Sequence, residues 1–177
     1  PTAIKRLQNI LQGNGTKITR ETISSYLDYT NESYLTFGIS CFTDSISDRE
    51  TIKKHYFYDN GILNLFLFQP ETKLLENIVA IQLYKKYGED LYYYNKNMEV
   101  DFCVPKAGLL VQVSYRMTEN VTRNREISAL QKVGKFLNAK RFMIITYDQE
   151  ETIPSSELDM NIEVVPVCKF LLEEEMF

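Results

Sequence analysis

Histidine is almost absent: the 177 residues contain one, His55. A multi-histidine metal site is therefore excluded, and any Ser-His-Asp or Cys-His arrangement would have to use that residue. Cysteine is scarce as well: Cys41, Cys103 and Cys168 are far apart, odd in number and without a CxxC spacing. Cys103 and Cys168 sit in apolar, strand-like runs (DFCV and VPVCKF), where cysteine behaves as a small buried hydrophobe; a reducing, cytoplasmic compartment is expected. Neither GxxxxGK[ST] nor GxGxxG occurs, so the chain carries no nucleotide loop of its own. No apolar run approaches the roughly 18 residues that span a bilayer. The amino end, Pro1 to Gln12, is amphipathic and polar, unlike a signal peptide, and no membrane partner is expected. What remains is carboxylate chemistry, or binding without chemistry. The chain opens on Pro1 in place of Met, which suggests a fragment whose partners lie upstream.

What is present is ordinary globular material. Hydrophobic residues make up 44% and charged residues 25%, enough apolar surface to offset the ordering entropy of about one domain. The net charge of −4 hides an asymmetry. Residues 116–141 hold seven basic side chains (Arg116, Arg123, Arg125, Lys132, Lys135, Lys140 and Arg141) against Glu119 and Glu126, whereas residues 148–177 hold nine acids against Lys169 alone. A basic helix beside an acidic tail can track a phosphate backbone; a solvated helix face produces the same pattern.

Periodicity divides the chain near residue 58. In residues 1–58, Ile4, Leu7, Ile10 and Leu11 have helical spacing, and GNG at 13–15 ends that helix. Thr19 is a candidate N-cap for a second helix carrying Ile23, Tyr26 and Leu27. Two extended runs follow, YLTFGISCF (34–42) and HYFYD (55–59), separated by a polar stretch. Two helices and a two-stranded wing outline a partial winged helix-turn-helix. In residues 59–177, a helix is predicted over 71–87. Strands follow at 91–95, 99–104 and 109–115, the last two joined by a PKAG turn. A helix over 121–137, a strand over 141–147, a short strand over 162–167 and a terminal helical turn complete the segment. The order αβββαβ implies a mixed sheet with a crossover helix returning to a parallel strand.

Strand alternation then selects candidate residues. In EVDFCV, a regular strand points Val100, Phe102 and Val104 one way and Glu99, Asp101 and Cys103 the other; in LLVQVSY, Gln112 and Ser114 oppose Val111, Val113 and Tyr115. Polar groups inside apolar strands cost roughly 1–3 kcal/mol each if buried without partners. They are either solvent-facing or parts of a site. Glu76, lodged in LLENIV, either complements a positive helix end or joins Asp101 across the helix–sheet junction. Asp59 and Gly61 in HYFYDNG are expected to form a turn, and His55 to be a strand residue without an acid–base role.

A helix Glu, a strand Asp and a polar pair on the next strand resemble the PD-(D/E)xK, or restriction-endonuclease-like, nucleases, with Asp101 followed after a gap by Gln112-Val113-Ser114. The phrases ITRETISSYLDYTNESYL, KKHYFYDNGI, LLENIVAIQLYKK, YYYNKNMEVDFCV, LLVQVSY and TRNREISALQKVGKFL, in that order, resemble the carboxy-terminal part of prokaryotic P-loop ATPases of the AAA class. That part is a winged-helix segment followed by a nuclease-like domain of unknown function. The resemblance implies an α/β fold with a restriction-endonuclease-like αβββαβ core, preceded by a partial winged helix-turn-helix, and an ATPase domain upstream.

The third strand departs from the pattern. Many members carry Glu-Val-Lys there, and this chain carries Gln112 and Ser114. Carboxylates at such sites hold a hard cation that activates water, and the lysine offsets transition-state charge worth about 10²–10³ in rate. Gln112 can offer only a neutral carbonyl, and Ser114 no charge; Lys96 is a candidate substitute. Glu76, Asp101, Gln112 and Ser114 are therefore read as a degenerate site, and Arg123, Arg125 and Lys132 as nucleic-acid contacts, with DNA favoured. The expected function is a noncatalytic nucleic-acid-binding or regulatory domain without a cofactor in this segment. The alternatives are an Mg²⁺-dependent nuclease, with Glu76 and Asp101 as metal ligands, and a structural or docking tail of the ATPase.

Overall fold

The computed structural model describes residues 3–43, 53–155 and 160–172. Most of the polar stretch between the two amino-terminal strands, and part of the acidic tail, lie outside the described residues. The elements are α1 (Ala3–Gly13), α2 (Arg20–Glu32), β1 (Thr36–Cys41), β2 (Lys53–Phe57), α3 (Asn60–Asn64), α4 (Glu71–Tyr87), β3 (Tyr92–Asn95) and β4 (Glu99–Val104). They continue as β5 (Leu109–Val113), α5 (Asn120–Leu137), β6 (Arg141–Thr146), β7 (Glu151–Ser155), β8 (Met160–Pro166) and α6 (Val167–Leu172). The fold is mixed α/β. Eight strands form one sheet in the order β2-β1-β3-β4-β5-β6-β8-β7, with parallel pairing between β1 and β3, β5 and β6, and β6 and β8. Among the described residues no helix is long and apolar enough to cross a membrane.

Local signals place the helices. The Thr19 hydroxyl accepts from the Thr22 N–H (3.2 Å) at the start of α2, which satisfies one of the orphan donors of the first turn. Asp59 does the same for α3, accepting from the Ile62 N–H (2.9 Å); the expected turn is thus a capped helical turn. Gly108, at φ +62°, closes the turn from β4 into β5. A side chain there would press on the Lys140 backbone, because the Gly108 carbonyl accepts from the N–H groups of both Lys140 and Arg141 as β6 arrives. Glycine meets both demands, a left-handed backbone and close approach.

The sheet buries two apolar layers. One joins Leu75, Val79 and Leu83 of α4 and Phe170 of α6 to Phe37, Tyr56, Phe102, Val104, Val111, Val113, Met143 and Ile145. The other joins Leu130 and Val133 of α5 to Val100, Cys103, Leu110, Phe142, Ile144, Ile162 and Val164. In β5 and β6 successive residues alternate between the layers, as the period of two requires.

Four expectations are corrected. Val100 does not share a face with Phe102 and Val104; it packs with Cys103 on the α5 side. The cause is a register shift: Tyr92 pairs Cys103 and Tyr94 pairs Val100, so two steps on β3 match three on β4, and the extra residue of such a bulge reverses the alternation. The hairpin β1–β2 is not a wing apart from residues 59–177: β1 pairs β3, and Phe37, Ile39, Cys41 and Tyr56 belong to the α4-side core. Cys168 is exposed in α6, not buried in a strand, because β8 ends at Pro166 and the chain turns helical there. Strand β7 was not expected; it carries Pro154 and forms the far edge of the sheet, a position that tolerates a missing N–H.

The opposite edge, β2, is covered by a side chain. Asn77 of α4, almost completely buried, accepts from the Phe57 N–H (2.8 Å) and donates to the Phe57 carbonyl (2.9 Å) and to Asn60 Oδ1 (2.8 Å). One amide thereby does the work of a further strand at that point, and the unpaired edge is closed. Asn77→Ala leaves the Phe57 backbone groups without partners and should lower the unfolding free energy by about 2–3 kcal/mol, read as a fall in the urea midpoint with an unchanged slope.

Candidate functional site

Strands β4 and β5 pair regularly from Val104↔Leu109 to Phe102↔Val111. Beyond that point side chains replace the ladder. The Asp101 N–H donates to Gln112 Oε1 (3.2 Å), and the Val113 N–H donates to Asp101 Oδ2 (2.9 Å). The strands split where β4 bulges, and the split opens on a cleft of about 1100 Å³ walled by α1, α2, β2, α4, β4, β5 and α5. Glu76, Asp101 and Gln112 all line it.

Asp101 is a strongly perturbed carboxylic acid of the cleft. Burial, and then the Glu76 charge, push its carboxyl up to about 7; Lys54 and the Val113 N–H pull the other way without prevailing. Glu76 itself is fully engaged: Tyr56 OH donates to Oε1 (3.0 Å) and Lys73 Nζ to Oε2 (2.9 Å). Burial and the Glu76 and Asp101 charges drive the Tyr56 phenol well above its ordinary range, so it acts as a neutral donor. Lys54 lies 2.6 Å from Glu99 Oε1 and 3.8 Å from Asp101 Oδ1. Burial disfavours its charge, but Asp101, Glu99 and Glu76 outweigh burial and hold the ammonium above its usual range.

Gln112 is turned to α5. Its Nε2 donates to Glu126 Oε2 (2.6 Å), and Arg125 donates to Glu126 Oε1 from two nitrogens. Glu126 is only 3% exposed, so these donors are what keep its carboxylate from being an unpaired buried charge. Ser114 is outside the cleft lining; it is buried, and its hydroxyl donates to the Arg116 carbonyl (3.1 Å). The four residues read as one degenerate site are therefore not equivalent. Glu76 and Asp101 interact across the α4 side, Gln112 reaches the cleft from its α5 contacts, and Ser114 belongs to the loop after β5.

The cations are also redistributed. Lys96 does not line the cleft; its ammonium lies over the Phe136 ring, 5.7 Å from the centroid. The lysine that reaches Asp101 is Lys54, from a strand that sequence reasoning had assigned to another segment. Lys54, Tyr56 and Glu126 were not expected in the site, and Glu99 was placed only on the same strand face as Asp101. The one local signal was the KKHYF alternation, which puts Lys54 and Tyr56 on the same face of β2. Arg123 forms a two-pronged pair with Glu151 of β7, Arg125 is paired with Glu126, and Lys132 is exposed on α5.

A hard divalent cation would require several anionic oxygens directed at one point. Glu76 accepts from Tyr56 and Lys73, Asp101 from Val113, and both ends of the Gln112 amide are bonded within the protein. Among the described residues no group of three or more His, Cys, Asp or Glu side chains is arranged to hold a metal ion. The donor set at the split does not fit Mg²⁺.

The sequence is 36% identical over 184 aligned positions to an uncharacterized protein of Methanocaldococcus jannaschii, MJ1544; the match covers 96% of this chain and 40% of that protein. The chain thus spans well under half the length of the curated relative it matches. No protein-family model matches the sequence, and no solved structure matches it.

Two stability measurements follow from the geometry. Asp101 titrates near 7 folded and near 3.9 unfolded. The raised value favours the protonated folded state, so this contribution is complete below about pH 4 and is lost as pH rises through 7. Wild-type stability should fall by up to about 4 kcal/mol between pH 4 and 8 from this group, and Asp101→Asn should remove most of that fall in urea titrations. Gln112→Glu sets a second carboxylate against Glu126 and removes its donor; it should cost about 3 kcal/mol at pH 8, read in the same urea titrations.

Proposed function

We propose that this chain is a noncatalytic nucleic-acid-binding or regulatory domain on a restriction-endonuclease-like frame, carried in the cytoplasm by an AAA-class ATPase. The frame is supported by the run α4-β3-β4-β5-α5-β6, whose carboxylate pair lies where the second and third of its strands split. The ATPase connection rests on the ordered series of sequence phrases. The noncatalytic reading rests on one observation: the third strand offers Gln112, bonded at both ends of its amide, and Ser114, turned to a neighbouring carbonyl. That strand supplies neither an anionic ligand nor a cation.

The open cleft is the binding surface in this reading. Lys53, Lys73 and Arg125 stand on its walls, and Lys132 is exposed on α5. Arg123 and Arg125 are held by Glu151 and Glu126, so each must exchange a carboxylate for a phosphate and releases less than a full counterion's worth of free energy.

Labelled single- and double-stranded DNA and RNA, titrated at increasing salt with and without Mg²⁺ or Mn²⁺, test the proposal. Binding should be strongest to DNA, weaken with salt, and proceed without cleavage. Replacing Lys53 by Ala should flatten the log–log salt slope by up to about one unit, and replacing Lys73, Arg123 or Arg125, each held by a carboxylate, should flatten it by less per residue. Absence of binding even at low salt overturns the nucleic-acid role and leaves a docking role. Metal-dependent cleavage that disappears in Asp101→Asn overturns the noncatalytic one.

A further inference from the structure

The misfit between the cleft and a divalent cation has a specific cause in β2. We infer that the Lys54 ammonium is the resident cation of the carboxylate pocket and stands in for a metal ion among Asp101, Glu99 and Glu76. The pocket is thereby closed to divalent metal. This rests on the noncatalytic half of the proposed function and is independent of nucleic-acid binding.

Three observations carry it. Lys54 touches carboxylates that belong to a different part of the chain, at 2.6 Å from Glu99 and 3.8 Å from Asp101; these are ion-pair distances, longer than the ~2.1 Å that Mg²⁺ demands. Its ammonium also lies 5.1 Å from the Tyr93 ring centroid, where the ring face favours a cation. Tyr56, two residues further along the same face of β2, occupies Glu76 Oε1. The edge strand thus brings a cation and a neutral donor together into the acidic pocket. An entering divalent ion would have to displace a tethered positive charge, and the two cannot share the pocket without strong repulsion.

A lysine that instead assists metal-dependent chemistry would coexist with the metal, so the two roles predict opposite results. The experiment is Mn²⁺ titration of the full chain by calorimetry and thermal melting, for wild type, Lys54→Ala, Lys54→Gln, Lys54→Arg and Lys54→Ala with Asp101→Asn. Wild type and Lys54→Arg should show no saturable Mn²⁺ binding. Lys54→Ala and Lys54→Gln should melt lower without metal, bind Mn²⁺ at least about tenfold more tightly than wild type, and regain melting temperature as it is added. Adding Asp101→Asn should abolish the gain. If Lys54→Ala folds only with Mn²⁺, that rescue supports the inference. Saturable binding by wild type equal to that of the variants overturns it. So does the absence of any Mn²⁺ gain in Lys54→Gln, whose side chain keeps most of the length and a hydrogen-bonding end without the charge. A chain that fails to bind DNA yet shows the gain overturns only the proposed partner.

Discussion

Where two steps of β3 face three of β4, the ladder between Tyr94 and Val100 cannot stay in phase with the pairs beyond it, and the strand must bend. That single extra residue organises the cleft. It sends Val100 into the α5-side core and Phe102 into the α4-side core. It also leaves Asp101 at the point where β4 and β5 part, bonded through its backbone to Gln112 and through its carboxylate to Val113. The regular β4–β5 register, continued one step, would pair Asp101 with Gln112; side-chain bonds stand there instead.

Carboxylates gathered in a poorly solvated pocket are costly, and the protein offsets that cost from several elements at once. β2 contributes Lys54 and Tyr56, α4 contributes Lys73, and α5 contributes Arg125. Lys54 and Tyr56 tie β2 to the split, whereas Lys73 and Arg125 pair with acids of their own helices. The amino-terminal hairpin is consequently joined to the rest of the fold in two ways. One is apolar, through rings such as Phe37 stacked on Tyr84 and Tyr56 against Phe102. The other is polar, through Lys54, Tyr56 and the Asn77 bridge to Phe57. Buried ion pairs rarely add much net stability; what they specify here is where the hairpin sits.

Much of the architecture was legible because it is written in short-range periodicity. The predicted helix over 71–87 coincides with α4, the Thr19 cap starts α2, and the PKAG turn separates β4 from β5. Each depends on residues within about a turn or a strand of one another. Glu76 and Asp101 could be singled out for the same reason, as polar residues breaking local apolar patterns. Strand β7 was missed because ETIPS has neither clean alternation nor a run free of proline, and it becomes a strand only by pairing with β8.

By itself the sequence determined the longer helices, most of the strands, the mixed α/β class and two acidic residues of the cleft, since hydrophobic spacing and turn chemistry act locally. Tertiary structure alone decided which groups those acids meet. Lys54 and Glu99 are 45 residues apart and Gln112 and Glu126 are 14 apart, and no periodicity relates such positions. The bulge that reverses β4 is likewise invisible in EVDFCV, because it arises from how that strand registers against β3. Chain topology brings these side chains together, and where the surroundings are dry, as at Glu126, an unpaired charge would be costly.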